Sequence, residues 1–189
     1  MRKNLGIKSY LLPEPVAIIG TYNDDGSPNA MNAAWVSMAE SNRISLYLSS
    51  GHKTVKNLLK RKAFTIGLAN LEHLEDCDYV GLTSGNKVTN KLDATSFEIE
   101  KSEFVDAPII ANLPITFELK VFSYHEDTEH LVGEIINVSI DEKYIDENGQ
   151  IDVEKMELLT YNSINLTYNV IGKKVGKAFS DGKKLGGNK

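Results

Sequence analysis

The segment SSGHKTVKNL, residues 49–58, carries the residue types best suited to hold an anion. Ser49, Ser50 and Thr54 supply hydroxyl groups, and Lys53 supplies an ammonium group beside them. A glycine precedes apolar residues at helical spacing, so the segment predicts a turn that leads into a helix. Free N–H groups at a helix start attract anions, which makes this a predicted phosphate site. The alternative is that Thr54 or Ser50 only caps the helix while Lys53 is solvated.

The segment NAMNAAWVS, residues 29–37, could hold a flat ring. Ala33 and Ala34 are small and lie beside Asn32 and the sole tryptophan, Trp35. Small side chains let a ring lie against strand backbone, whose N–H and C=O groups can pair with a polar ring edge. The alternative is a packed strand with a core tryptophan.

Other kinds of site lack the residues they need. His73 and Cys77 are spaced i, i+4 on a predicted helix, but zinc needs three or four ligands and no CxxC or HExxH pattern exists. The remaining histidines are scattered, so no Ser-His-Asp or Cys-His set can be assembled. The nucleotide loops GxGxxG and GxxxxGK[ST] are also missing. The sequence therefore predicts neither a metal site nor catalytic side chains.

Composition bounds the class of protein. The 189 residues are 41% hydrophobic and 25% charged, which is ordinary for one globular domain. A single cysteine excludes an intrachain disulfide, which fits a reducing compartment. The chain contains no apolar run of the roughly 20 residues that a membrane helix needs, and its start lacks a signal-peptide core. We therefore expect a cytoplasmic protein that does not contact a membrane.

Charge is distributed unevenly along the chain. Residues 1–71 hold nine Lys or Arg against four Asp or Glu, residues 72–160 hold six against 21, and residues 161–189 hold six against one. The acidic middle argues against binding of nucleic acid, whereas the basic first third could hold one anionic ligand. Ordinary solvated surface charge explains most of this distribution equally well.

Periodicity predicts a mostly antiparallel β protein with a few short helices. A hairpin is predicted from residues 15–22 and 31–36, with turn residues between them. A second, longer hairpin is predicted from residues 115–124 and 130–140. Single strands at 44–48 and 63–69 and helices near 55–62 and 71–80 complete about six strands. Parallel βαβ crossovers would need more helix, so we expect a barrel.

Taken together, these segments resemble the flavin reductase-like family of FMN-binding split barrels, in particular its flavoredoxin-like branch. The resemblance covers residues 16–179 and also includes DYVGLTSGNKVTNK and NVIGKKVGKAFSDGK. It implies a mainly β, Greek-key-like split barrel in one domain, with the barrel at about residues 10–170. We expect a mobile basic tail at about residues 180–189, because this end is rich in Gly and Lys.

The resemblance also implies roles for individual residues. Asn32, Ala33, Ala34 and Trp35 correspond to the strand that lines the isoalloxazine ring. Ser49, Ser50, Lys53 and Thr54 correspond to the phosphate cradle, with Asn57 behind it. Ser84, Gly85 and Lys91 match the loop that closes over the cofactor, and Asn90 stands where an acidic residue is expected before the lysine.

Three functions follow from the resemblance as expectations. The first is an NAD(P)H-dependent flavin or ferric reductase, in which the flavin carries the chemistry and NADH or NADPH docks transiently. The second is a flavoredoxin-like electron carrier that exchanges electrons with another protein. The third is a non-catalytic flavin- or heme-binding module. The expected partners are a second copy in a homodimer and a small electron acceptor or redox protein.

Overall fold

The computed structural model describes residues 1–185, and the last four residues of the predicted tail lie outside this part. Two α-helices are present in it, α1 (Lys53–Arg61) and α2 (Leu74–Leu82). Three short 3-10 helices cover Lys91–Ala94, Glu142–Tyr144 and Asp181–Leu185. The strands of the described residues are β1 (Glu14–Pro15), β2 (Ala17–Tyr22), β3 (Pro28–Ala33), β4 (Val36–Glu40), β5 (Arg43–Tyr47), β6 (Ala63–Leu68), β7 (Ile99–Lys101), β8 (Pro108–Ile110), β9 (Ile115–His125), β10 (His130–Ile140), β11 (Leu159–Asn162) and β12 (Thr167–Val170).

Seven of these strands form the main sheet, in the order β3-β2-β6-β9-β10-β5-β4. Every neighbouring pair in it is antiparallel. The β9–β10 hairpin is the longest pairing, with 11 residues in each strand, and confirms the predicted second hairpin. The main sheet, with α1 and α2 beside it, confirms the predicted antiparallel split-barrel fold.

The sheet must curl, because its two edge strands are consecutive in the chain. β3 lies at one edge and β4 at the other, yet only Ala34 and Trp35 connect them. Three Cα–Cα steps separate Ala33 from Val36, so their Cα atoms lie at most about 11 Å apart. The two edges therefore converge at this connector, which closes the half-barrel at one end.

This arrangement corrects the strand predicted at residues 31–36. The strand ends at Ala33, and Val36 begins a different strand on the opposite edge of the sheet. Local apolar pattern continues across Ala34 and Trp35, so it cannot show that the chain changes edges there. Shorter strands outside the main sheet, β1-β11-β12 and β7-β8, were also missed.

The core lies on both faces of the sheet. Ile19 and Phe64 pack with Val55 and Leu58 of α1 inside the half-barrel. On the other face, residues of β2 and β3 pack against α2, including its buried Cys77. α1 is therefore held inside the half-barrel by its apolar side, which leaves its N-terminal end fixed near the converging edges.

The confirmed helices differ slightly from their predicted bounds. The hydrophobic spacing predicted the second helix at residues 71–80, whereas α2 covers Leu74–Leu82. Among residues 1–185, no helix is both long and apolar enough to cross a membrane. Within the same residues, no group of three or more His, Cys, Asp or Glu side chains could hold a metal ion.

Candidate functional site

The N-terminal end of α1 has no side-chain cap. His52 is the N-cap residue, its side chain makes no capping hydrogen bond, and the first turn contains no acidic residue. Neither Ser50 nor Thr54 caps the helix, so the simple capping alternative is wrong. The first N–H groups of a helix have no partner within it, and the helix dipole adds positive potential. This end is therefore suited to an anion.

A polar cleft of about 260 Å³ lies beside this helix start. We use "polar cleft" for the space bordered by Asn29, Lys53, Gly85 and Lys91. The β2–β3 turn adds Asp24 and Asp25 to its border. Both carboxylates already have partners, since Asp24 accepts from Lys60 Nζ at 2.6 Å and Asp25 accepts from the Ser27 hydroxyl at 2.6 Å.

Lys91 is a buried cation at this cleft. Its Nζ donates to the carbonyl oxygens of Val80 at 3.0 Å and Thr83 at 2.7 Å, at the C-terminal end of α2. Burial lowers the pKa of Lys91 to about 8, because the ammonium is taken out of water. An anion in the polar cleft would favour the charged form.

The loop that carries Ser84 and Gly85 packs directly against the helix start. Asn86 Nδ2 donates to the Gly51 carbonyl at 2.9 Å. A Cβ added at Gly85 would lie 2.6 Å from Asn29 Oδ1 and 3.4 Å from Lys53 Cβ. Ser84 itself is exposed, and its hydroxyl accepts from Asn86 N at 3.3 Å. Two segments that are more than 30 residues apart in the chain thus form one wall.

Thr54 and Asn57 lie behind this wall. The Thr54 hydroxyl is buried and accepts from Asn29 Nδ2 at 3.0 Å. Asn57 Nδ2 donates to Thr21 Oγ1 at 3.2 Å and to Asn23 Oδ1 at 2.9 Å, which ties α1 to the β2–β3 hairpin. These two residues position the helix and Asn29.

An aromatic cleft of about 220 Å³ opens on the other side of the helix start. We use "aromatic cleft" for the space at the converging sheet edges whose wall is mostly apolar. It is bordered by Met31, Asn32, Ala33, Ala34, Trp35, Tyr47, Leu48, His52 and Tyr161. Trp35 is 61% exposed and Tyr47 is 52% exposed, so Trp35 is not a core residue. The packed-strand alternative is therefore wrong for Trp35.

Asn32 borders the aromatic cleft, and its side chain is hydrogen-bonded to α2. Its Nδ2 donates to the Cys77 carbonyl of α2 at 3.0 Å. Nearby, the Tyr168 hydroxyl donates to Asp78 Oδ1 at 2.7 Å, and burial, followed by this bond, raises the pKa of Tyr168. Asn32 thus fastens β3 to α2.

The structure separates the predicted site residues into four groups, of which the last, the three serines, borders neither cleft. Lys53, Gly85 and Lys91 border the polar cleft, and Asn32, Ala33, Ala34 and Trp35 border the aromatic cleft. Thr54 and Asn57 support them. Ser49 and Ser50 are half-buried in the turn before α1, and Ser84 lies in the facing loop.

Sequence reasoning missed Asn29, Tyr47, His52 and Tyr161. Asn29 is a buried polar residue in a strand, and such a residue needs a partner. His52 lies within the predicted phosphate segment and Tyr47 lies two residues before it, so proximity could have suggested them. No local signal points to Tyr161, because β11 reaches the cleft only through the tertiary fold.

The structure is thus a split barrel with a polar cleft and a mostly apolar cleft on either side of one helix start. Comparison with known proteins gives the family. Residues 9–164 match the family model "Flavin reductase like domain". The chain belongs to the flavin reductase-like family, and its assignment to the FMN-binding split barrels is confirmed.

Two solved structures agree with this assignment, and the chain is also similar to one curated relative. The flavoredoxin of Desulfovibrio vulgaris (Miyazaki F) is 32% identical, with a TM-score of 0.91 over 96% of this chain and 100% of that chain. A flavoredoxin from Methanosarcina acetivorans is 27% identical, with a TM-score of 0.84 over 97% and 100% of the two chains. An uncharacterized protein of Aquifex aeolicus (strain VF5) is 25% identical over 158 residues, which are 79% of this chain and 80% of its own length.

Proposed function

We propose that the protein is an FMN-dependent oxidoreductase that binds the phosphate in the polar cleft and the ring in the aromatic cleft. One observation carries this proposal: the polar cleft and the aromatic cleft flank the same helix start, with Lys53 on one side and His52 on the other. FMN joins a dianionic phosphate to a flat ring through a short polar chain. The residues present fit such a ligand.

This chain's own residues bind and orient the cofactor. Lys53, Lys91 and the N–H groups of α1 neutralise the phosphate. Ala33 and Ala34 let the ring approach the backbone, while Trp35 and Tyr47 cover its apolar surface. FMN, when bound, supplies the redox chemistry, so no side chain has to act as a general acid or base.

We propose NADH or NADPH as the electron donor. The chain has no GxGxxG loop, so the nicotinamide would dock over the ring without a dedicated dinucleotide fold. The aromatic cleft supports this, because its exposed side chains leave room for a planar partner. Hydride transfer requires the reacting atoms to approach to about 3–3.5 Å.

A second candidate is an electron carrier that receives electrons from another protein. The extensive similarity to two flavoredoxins favours this candidate. It shares the FMN site with the first and differs only in the donor.

The experiment that tests the cofactor compares FMN with riboflavin. We expect the purified protein to show flavin absorbance or to bind added FMN far more tightly than riboflavin, because only FMN has the phosphate. Equal affinity for the two in a fluorescence titration would remove the phosphate role from the polar cleft.

Anaerobic bleaching of the bound flavin distinguishes a nicotinamide donor from a donor protein. With NADH or NADPH as donor, either one should bleach the bound flavin within seconds to minutes. Bleaching by dithionite alone would favour the electron carrier.

We also propose that the protein is a homodimer. Val175 and Phe179 are each 98% exposed, and Ile7 at the other end of the chain is fully exposed, as expected of apolar residues that a second copy covers. Light scattering at dilute concentration should give twice the chain mass. A monomer that still binds FMN would contradict this proposal.

A further inference from the structure

The mouth of the aromatic cleft has an acidic rim on one side. The turn between β9 and β10, residues 126–129, contains Glu126, Asp127 and Glu129, and all three are exposed. The Leu48 N–H donates to the Glu129 carbonyl at 2.8 Å, and Leu48 borders the aromatic cleft. We call these three residues the acidic rim.

The rim and the exposed aromatic side chains form one surface. Tyr47 pairs with His130, the first residue of β10, and their rings stack with centroids 5.0 Å apart. His130 follows Glu129 directly, so the stack joins the cleft to the rim. Tyr124 also contacts Leu48, because its hydroxyl donates to the Leu48 carbonyl at 2.9 Å. The surface therefore presents two exposed aromatic side chains, Trp35 and Tyr47, beside three carboxylates.

The carboxylates of the rim are free to attract a partner. Among the ion pairs of residues 1–185, none includes Glu126, Asp127 or Glu129. The charges of the acidic rim act on Tyr124, which contacts Leu48 of the aromatic cleft. Burial, followed by the charges of Glu129 and Glu126, raises the pKa of Tyr124.

We propose that this surface docks a basic electron-acceptor protein over the ring. Exposed Trp and Tyr are the side chains most often central to protein interfaces, and a charged rim selects and steers the complementary partner. A small anion gains nothing from the rim. The proposal rests on the proposed function, because the docked partner would receive its electrons from the FMN in the two clefts.

The proposed acceptor takes one electron at a time, and the electrons balance as follows. Oxidation of one reduced FMN releases two electrons, which reduce two molecules of a one-electron acceptor, and the protons of the flavin nitrogens pass to water. No covalent bond forms between the two proteins.

The test uses the FMN-loaded protein, reduced with dithionite and freed of excess reductant. It is mixed anaerobically with oxidised cytochrome c, a basic one-electron protein, or with ferricyanide, a small anion. We expect the rate with cytochrome c to fall about tenfold or more as salt is raised through the physiological range, because screening weakens steering. The rate with ferricyanide should stay constant or rise.

A charge-neutralised variant locates the effect. Glu126→Gln, Asp127→Asn and Glu129→Gln together should slow the reaction with cytochrome c about tenfold at low salt and remove most of its salt dependence. The matched control, Glu100→Gln, Glu142→Gln and Glu147→Gln, removes the same charge from exposed residues toward the other end of the β9–β10 hairpin. It should keep most of the rate and the salt dependence.

Calorimetry of cytochrome c binding to the oxidised protein gives a readout that does not depend on turnover. We expect the rim variant to bind about tenfold more weakly than the control variant. Equal losses in the two variants, or a rate independent of salt in the unmodified protein, would overturn the docking surface. A protein that neither shows flavin absorbance nor binds added FMN would instead overturn the proposed function, and calorimetry would still decide whether the rim binds a basic protein.

Discussion

The polar cleft and the aromatic cleft flank the same helix start but are built differently. In the polar cleft, Asn29 and Lys91 are buried and already bonded, through the Asn29–Thr54 pair at 3.0 Å and the Lys91 contacts to Val80 and Thr83. The aromatic cleft presents Trp35 and Tyr47 to solvent. A prearranged polar site gives orientation and selectivity, whereas an open aromatic site gives area and access. We therefore expect substitutions in the polar cleft to have larger and more phosphate-specific effects.

The largest effect is expected at Lys53. Removing a charged hydrogen bond costs about 1.5–3 kcal/mol, so Lys53→Ala should weaken FMN binding tenfold or more. Riboflavin binding should not change, because it lacks the phosphate. Lys56→Ala is the matched control, since Lys56 is exposed on the same helix and borders neither cleft. Fluorescence titration measures all four affinities, and equal losses for FMN and riboflavin would contradict the comparison.

A second test uses two glycines of the facing segments. Gly85→Ala would place a Cβ 2.6 Å from Asn29 Oδ1, and Asn29 cannot move without losing its bond to Thr54. We expect a loss of roughly 1–2 kcal/mol in FMN binding, within the range found for overpacking. Gly51→Ala is the control, because its Cβ would meet only Ser49 Oγ at 3.9 Å. Similar affinities for the two variants would show that the loop adjusts freely.

A third, smaller effect concerns pH. Without ligand, burial lowers the pKa of Lys91 to about 8. A bound phosphate would raise that pKa again, so FMN binding should take up protons above pH 8. Its affinity should then be constant below about pH 7.5 and fall severalfold toward about pH 9.5.

Two measurements check this pH dependence. Lys91→Met should give a flat profile over the same range. Should that variant fail to fold, calorimetry of FMN binding to the native protein in buffers of different ionisation enthalpy measures the proton uptake directly. If FMN binding takes up no protons at pH 8.5, Lys91 does not interact with the phosphate.

The smallest effect is expected in the aromatic cleft. Trp35→Ala removes one stacking surface that is already 61% exposed, at a cost of about 0.5–1.5 kcal/mol. FMN and riboflavin should therefore both bind a fewfold more weakly and by the same factor. A loss confined to FMN would place Trp35 near the phosphate instead.

Much of the fold was predictable because its signals are local. The β9–β10 hairpin was predicted from its alternation, and α1 from apolar residues at helical spacing. The strand at residues 31–36 was predicted wrongly, because no local signal marks the change of sheet edge at Ala34 and Trp35. Lys53 was predicted from the residue types of its segment, and Gly85 and Lys91 through a family resemblance; the structure brings all three to one cleft.

The sequence by itself determined the antiparallel fold class, the helix start suited to an anion, and the family. These depend on periodicity and on residue order, which a single chain displays directly. Only the tertiary structure decided that Asn29 and Tyr161 reach the clefts, that Lys91 is buried with a lowered pKa, and that the β9–β10 turn lies beside the ring site. The placement of Asn29, Tyr161 and the β9–β10 turn depends on contacts between residues that are distant in the chain. Lys91 is buried because it packs against the C-terminal end of α2.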